Sequence, residues 1–299
     1  MLQFEDFKKE IMKTIGSYMP EKYKSLTLRE VKIDKINQTV EGFCFADENK
    51  EMTASAVIYF KDMYSKYLST GDIKAVLMEA AKTITYYDSK AGSTCSPKAV
   101  LSADMVKTNT VMLLINAEMN RELLTQVPYV PFLDLAIVFR CITEKANNHF
   151  YGAIIKKALA EALNLSAEDL YTYAKENTKR ILPIRFEPLS QTMEGLIPKG
   201  IPEPKDSDKT VLYILSNDII TEGASYIVYK EVLNRIRKSL NSDFFIIPSS
   251  INEVMILKTG INRKTYLKKV LKLINDIYID QSDILSNNIY LYNGSLNII

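Results

Sequence analysis

The spacing of apolar residues changes period several times along this chain. Phe4, Phe7, Ile11 and Ile15 recur at intervals of three and four, which predicts an amphipathic helix that stops before Pro20. Three strands follow, at 31–36, 40–45 and 54–60, broken by the turn residues Asn37-Gln38 and by the polar run 47–50. Beyond Gly71, Ile73, Val76, Leu77, Ala80 and Ile84 form a helical stripe suited to covering the apolar face of that meander. The small, polar stretch 89–102, with Gly92 and Pro97, reads as a boundary. It separates a helix–meander–helix subdomain at 1–92 from a main domain at 100–299.

The main domain begins with a strand at 111–115 and a helix at 117–124. A long strand is predicted over 132–142, with Leu133, Leu135, Ile137, Phe139 and Cys141 facing a core and Asp134, Ala136, Val138 and Arg140 on the other face. Helices are expected at 153–163 and 167–178, the second opened by a capping box of Ser166 and Asp169. A short strand at 181–186 precedes an exposed proline-rich loop at 197–209, which holds Pro198, Pro202 and Pro204. Then come a strand at 211–215, a helix at 229–240, strands at 244–247 and 254–257, a helix at 264–277 and a strand at 288–292. The short polar link between Ile247 and Val254 leaves those two apolar runs little choice but antiparallel pairing. The fold class is α+β: antiparallel β-meanders covered by amphipathic helices, with a mixed sheet in the C-terminal part.

Composition narrows the function classes. At 299 residues, 47% apolar and 25% charged, the chain is an ordinary globular one, and its net charge of +2 makes no global case for a polyanionic partner. Heavy use of Lys, Ile, Asn and Tyr without any Trp reads as AT-rich coding bias, as in some bacteria and their mobile elements. Cys44, Cys95 and Cys141 are scattered and form no CxxC pair, which points to a reducing, cytoplasmic setting. The first ten residues alternate apolar and charged positions, unlike a signal peptide, and no apolar run approaches membrane-spanning length.

Candidate chemistry is sparse. His149 is the only histidine and lies in a polar turn, so a triad would have to use it and a Cys/His zinc site is excluded. No metal and no cofactor is expected, and neither phosphate-binding glycine signature occurs. The best polar cluster lies beside apolar strands: Asn217 and Gly223 after the strand at 211–215, and Ser249, Ser250 and Glu253 in the link between the strands at 244–247 and 254–257. Asn217 and Thr221 read as helix caps, with anion binding at Gly223 the sharper alternative. The serines lack the elbow of a hydrolase nucleophile. Glu253, if buried, needs a partner, and Arg140 is a candidate. The helix at 264–277 presents Lys264, Lys268, Lys269 and Lys272 outside its apolar stripe, as a solvated face or as a surface for nucleic acid or an acidic protein.

Several ordered motifs are family-like: the stretch 127–140, VPYVPFLDLAIVFR; 170–178, LYTYAKENT; LYILSN at 212–217; and IPSSINEV at 247–254. Together they resemble an uncharacterised bacterial family, the domain of unknown function numbered fifty-six eighty-eight, frequent in Gram-positive gut bacteria and their mobile elements. The chain departs from that pattern at Asn252, where the family is expected to carry histidine. The resemblance implies a fold and a cellular setting but no activity. The expectation is a cytoplasmic protein-binding or regulatory module of the kind a phage or mobile element carries, with no membrane association. A nucleic-acid-binding accessory protein is the alternative, and a cofactor-free hydrolase the second.

Overall fold

The computed structural model describes residues 1–47, 56–94, 102–146, 149–189, 212–259 and 264–299, with side-chain detail beginning at 150 and 267 in the fourth and last segments and ending at 89 in the second and 145 in the third. Contacts divide the chain into two units. The first is Met1–Lys35 with Thr39–Ser102, and the second is Ile36–Gln38 with Ala103–Ile299.

In the first unit, helix α1 (Phe4–Thr14) is followed by strands β1 (Thr27–Lys35), β2 (Gln38–Ala46) and β3 (Ile58–Tyr59), ordered β1-β2-β3. The expected strand at 54–60 is reduced to β3, because Phe60 opens a helix, α2 (Phe60–Thr70). Phe60, Met63 and Tyr67 are buried at helical spacing, and Gly71 ends α2 in the left-handed conformation that glycine adopts without cost. Helix α3 (Ile73–Thr94) runs through the residues expected to be turn-rich from 89 onward. Phe7, Ile11, Phe43, Phe60, Val76, Leu77 and Ile84 form one core. At its edge Lys8 contacts Glu41 at 2.6 Å and Glu30 at 3.1 Å, and Lys32 contacts Glu41 at 2.8 Å. Hydrogen bonds from the two lysines hold the Glu41 carboxyl down to about 2.

The second unit has two sheets. Helix α4 (Ala103–Asn109) leads into β4 (Thr110–Asn116), and α5 (Arg121–Gln126) into β5 (Tyr129–Phe132), β6 (Leu135–Ala146) and β7 (His149–Ile154). The long strand expected at 132–142 is in fact a hairpin. Leu133 sits in the turn with φ 55° and is 44% exposed instead of facing the core. β6 pairs antiparallel with β4 along one edge and with β5 and β7 along the other. His149 starts β7 instead of closing a turn, and the helix expected at 153–163 shrinks to α6 (Lys157–Ala162). Helix α7 (Ala167–Ile181) covers the open edge of β4, where the Met112 amide donates to Thr178 Oγ1 at 2.9 Å. The Ser166–Asp169 capping box is present in full.

The second sheet contains β8 (Ile184–Pro188), β9 (Leu212–Asn217), β10 (Phe244–Ile247), β11 (Val254–Lys258), β12 (Tyr290–Tyr292) and β13 (Leu296–Ile298), ordered β13-β12-β10-β11-β9-β8. Every pairing in it is antiparallel, so the expected mixed sheet is corrected. β9 and β10 do run the same way, joined through helix α8 (Lys230–Leu240), but β11 inserts between them and bonds to both. The predicted pairing of the two apolar runs is observed, with Ile246 opposite Ile256 and wholly buried. Helix α9 (Lys264–Ile277) lays Leu267 and Leu271 on the face carrying Phe245, Ile247 and Leu257. On the opposite face Phe244 stacks on Tyr292, whose hydroxyl donates to Asn234 of α8. The proline-rich stretch 197–209 and Cys95 lie outside the described residues.

Candidate functional site

The polar residues flagged in the sequence meet where β9 and β10 end and β11 begins, and Asn252, the position where the chain departs from the expected histidine, joins them. Its carbonyl accepts from the Gly223 amide at 3.1 Å and from Ser216 Oγ at 2.7 Å. Its side-chain oxygen accepts from the Glu222 amide, its amide group donates to Asp283 Oδ2, and its own backbone N–H donates to Ser250 Oγ. Gly223 is required here, because a Cβ would stand 2.3 Å from Ser216 Oγ and 2.6 Å from the Asn252 oxygen. With its amide engaged, Gly223 offers no anion site.

Asn217 is buried and organises its own loop. Its oxygen accepts from the amides of Ile219 and Thr221, and its Nδ2 donates to the Thr221 carbonyl at 2.6 Å. It is therefore a loop brace and not the helix cap expected. Ser249 and Ser250 are both buried, and their backbones stitch to the segment before β12: Leu285 donates to Ser249, and Ser250 bridges Ile284. That segment is anchored further by Asp134, which accepts from Ser286, Asn288 and Tyr290 at 2.6–2.9 Å. The polar cluster thus holds three loops together.

The ion pair expected between Arg140 and Glu253 forms elsewhere. Arg140 Nη1 lies 2.8 Å from Oε1 of Glu222, which is only 2% exposed. Glu222 adopts φ 58°, and Ile220 two residues earlier has φ 52°, conformations that cost energy for side-chain-bearing residues and that the Asn217 and Asn252 bonds hold in place. Burial pushes the Glu222 carboxyl up, and Arg140 opposes that shift. Arg140 Nε, Glu222 Oε2 and Ser225 Oγ have no hydrogen-bond partner among the described residues. Glu253, half-buried, is raised by burial alone, and Asp283 by burial and by neighbouring Asp280. Among the described residues no group of three His, Cys, Asp or Glu side chains converges as a metal would require.

Glu222 and Asp283 were not legible as site residues: an acid directly before a glycine, or in a polar run, is shared by many surface turns. Asn252 stood out only as the position where the family is expected to carry histidine.

The basic helix is the second candidate. Leu267 and Leu271 are buried and Val270 and Ile274 half-buried, as the stripe predicts, while Lys268, Lys269 and Lys272 are exposed. Lys272 pairs with Asp276 at 3.0 Å. The side chain of Lys264 lies outside the described residues. Not foreseen are three large apolar residues at the end of the same helix: Leu273, Ile277 and Tyr278 are 54%, 62% and 76% exposed. Among the described residues no helix is long and apolar enough to cross a membrane.

Comparison with curated proteins and with solved structures finds no match. Residues 4–294 match a family described as "Family of unknown function (DUF5688)". Since that match spans almost the whole chain, this protein belongs to the DUF5688 family.

Proposed function

We propose that this chain is a protein-binding module whose docking surface is the outer face of α9. The observation that carries the reading is the exposure of Leu273 and Ile277 beside Lys268, Lys269 and Lys272 on the outer side of α9, with exposed Tyr278 in the turn that follows. Exposed apolar residues scattered singly are ordinary, but several together within a charged rim are the composition of an interface. The lysines select an acidic partner and speed encounter, while the apolar side chains supply the buried area. The Asn252 junction serves this reading as scaffold, because its serines are buried and Ser250 Oγ is engaged.

The test is quantitative affinity capture with the wild type and a Leu273→Asp/Ile277→Asp variant. A partner retained by the wild type, lost by the variant and released as salt rises supports the reading. Both side chains are exposed, so the fold should survive the change. Partners captured equally by both forms would move the docking surface elsewhere. The same lysines favour a second reading, nucleic-acid binding, in which Lys268→Glu/Lys269→Glu abolishes a salt-sensitive shift in DNA or RNA anisotropy while Leu273→Asp leaves it intact.

A further inference from the structure

The charges on α9 stand in the wrong order for the helix itself. Aligned peptide dipoles favour acids in the first turn of a helix and bases in the last. Helix α9 has no acid in its first turn and no base in its last. Its exposed Lys268 and Lys272 precede its exposed Asp276, and exposed Asp280 follows just beyond the helix end. The ion pair of Lys272 with Asp276 at 3.0 Å also has the less favourable order, base before acid. An antiparallel neighbour with the same order supplies what is missing, because its acids then lie beside these lysines.

The spacing fits a twofold arrangement. Lys268, Lys272 and Asp276 form one column at intervals of four residues, and Leu273 and Ile277 form an adjoining one, all exposed. A twofold axis normal to the plane of two antiparallel helices sets each column against its own copy. With the axis beside Ile274, Lys272 faces Asp276 of the second copy and Lys268 lies toward Asp280 of the second copy, since both pairs share that midpoint. At about 1.5 Å of rise per residue, the apolar columns then interleave at steps of about 3 Å: Ile277 of the second copy, Leu273, Leu273 of the second copy, Ile277. Charge and apolar contact are thus satisfied by one and the same axis.

We propose that α9 is a self-association surface, pairing antiparallel with α9 of a second copy of this chain. This deepens the docking reading above and rests on it: the acidic partner that the lysines select is the acidic end of the same helix. Two helices of 14 residues lie at the low end of specific interfaces, below roughly 1,200 Å². The dimer is therefore weak and depends on concentration.

The test is sedimentation velocity of the full chain from about 1 to 200 μM, the range in which weak interfaces assemble. The expected result is a reversible monomer–dimer equilibrium that Leu273→Asp/Ile277→Asp abolishes. Lys272→Glu and Asp276→Lys should each weaken dimerisation at least about tenfold, because each sets like charges opposite one another. Mixing these two single variants should restore it, since every facing pair is then again an acid and a base. These positions are all exposed, and unchanged circular dichroism of each variant shows that the fold is intact. A chain that stays monomeric at about 200 μM, a dimer that survives Leu273→Asp/Ile277→Asp, or single-charge variants that do not complement on mixing would overturn the proposal. A monomer that still retains a salt-released partner in affinity capture removes self-association alone and leaves the docking reading standing.

Discussion

Arg140 and Glu222 show how a single residue's cost depends on what faces it. Their contact is largely out of water, so removing the guanidinium leaves a buried carboxylate unpaired. Arg140→Ala is expected to destabilise the protein by about 3–5 kcal/mol, measured by urea denaturation near neutral pH. The pH dependence distinguishes this from lost packing. Burial already raises the folded-state pKa of Glu222 above its ordinary value of 4.5, and without Arg140 nothing opposes that shift. The native variant then holds a proton that the unfolded chain releases. Its stability rises as pH falls through the folded pKa toward 4.5, so the deficit against wild type narrows on acidification. A deficit independent of pH would mean that Glu222 is not the group responsible. Glu41 has the opposite sign. Its pKa is held down to about 2, so its contribution is complete above the ordinary value of 4.5 and is lost as pH falls toward 2.

At the scale of elements, local rules explain the ends better than the middles. Helix α7 starts where a capping box dictates, with the Asp169 amide bonded to Ser166 Oγ at 3.0 Å and the Ser166 amide to Asp169 Oδ2 at 2.9 Å. Ser166→Ala should cost about 1 kcal/mol, read as a lowered denaturation midpoint with an unchanged slope. A cost near zero would mean that tertiary packing alone fixes the start of α7. Helix α4 and strand β7 were missed because each is short, and helix α2 because its first apolar residues also fit the strand before it. Phe60 fits the strand before it as well as the helix it opens, and only the burial of Met63 and Tyr67 decides between them. The hairpin at Leu133 was hidden for a related reason. Ala136 and Val138 are buried as completely as Leu135 and Ile137, so both faces of β6 are covered and alternation carries no information about where the strand begins.

For the whole molecule, the two units have separate apolar cores. The cluster around Phe43 and Phe60 lies within the first, and the one around Phe245, Leu257 and Leu271 within the second. Calorimetric unfolding is expected to depart from a single two-state transition. Phe43→Ala, at a fully buried position, should lower one transition, and Ile246→Ala, equally buried, the other by about 2–5 kcal/mol. If either substitution moved both transitions together, the chain would unfold as one cooperative block.

The sequence by itself determined what depends on near neighbours. Helical stripes, the capping box, the β10–β11 hairpin and the α+β class all follow from spacing and turn chemistry within a few residues. It also located the polar residues that close the loops after β9 and β10. Tertiary structure alone decided their use. Asn252 is joined to Ser216, Gly223 and Asp283, and Arg140 to Glu222, across separations of some thirty to eighty residues. Likewise β11 enters the sheet between β9 and β10, and that insertion makes the sheet wholly antiparallel. A periodic pattern states which face of an element is apolar. Which element meets that face is settled only when the whole chain minimises its exposed apolar surface while pairing every buried polar group it can.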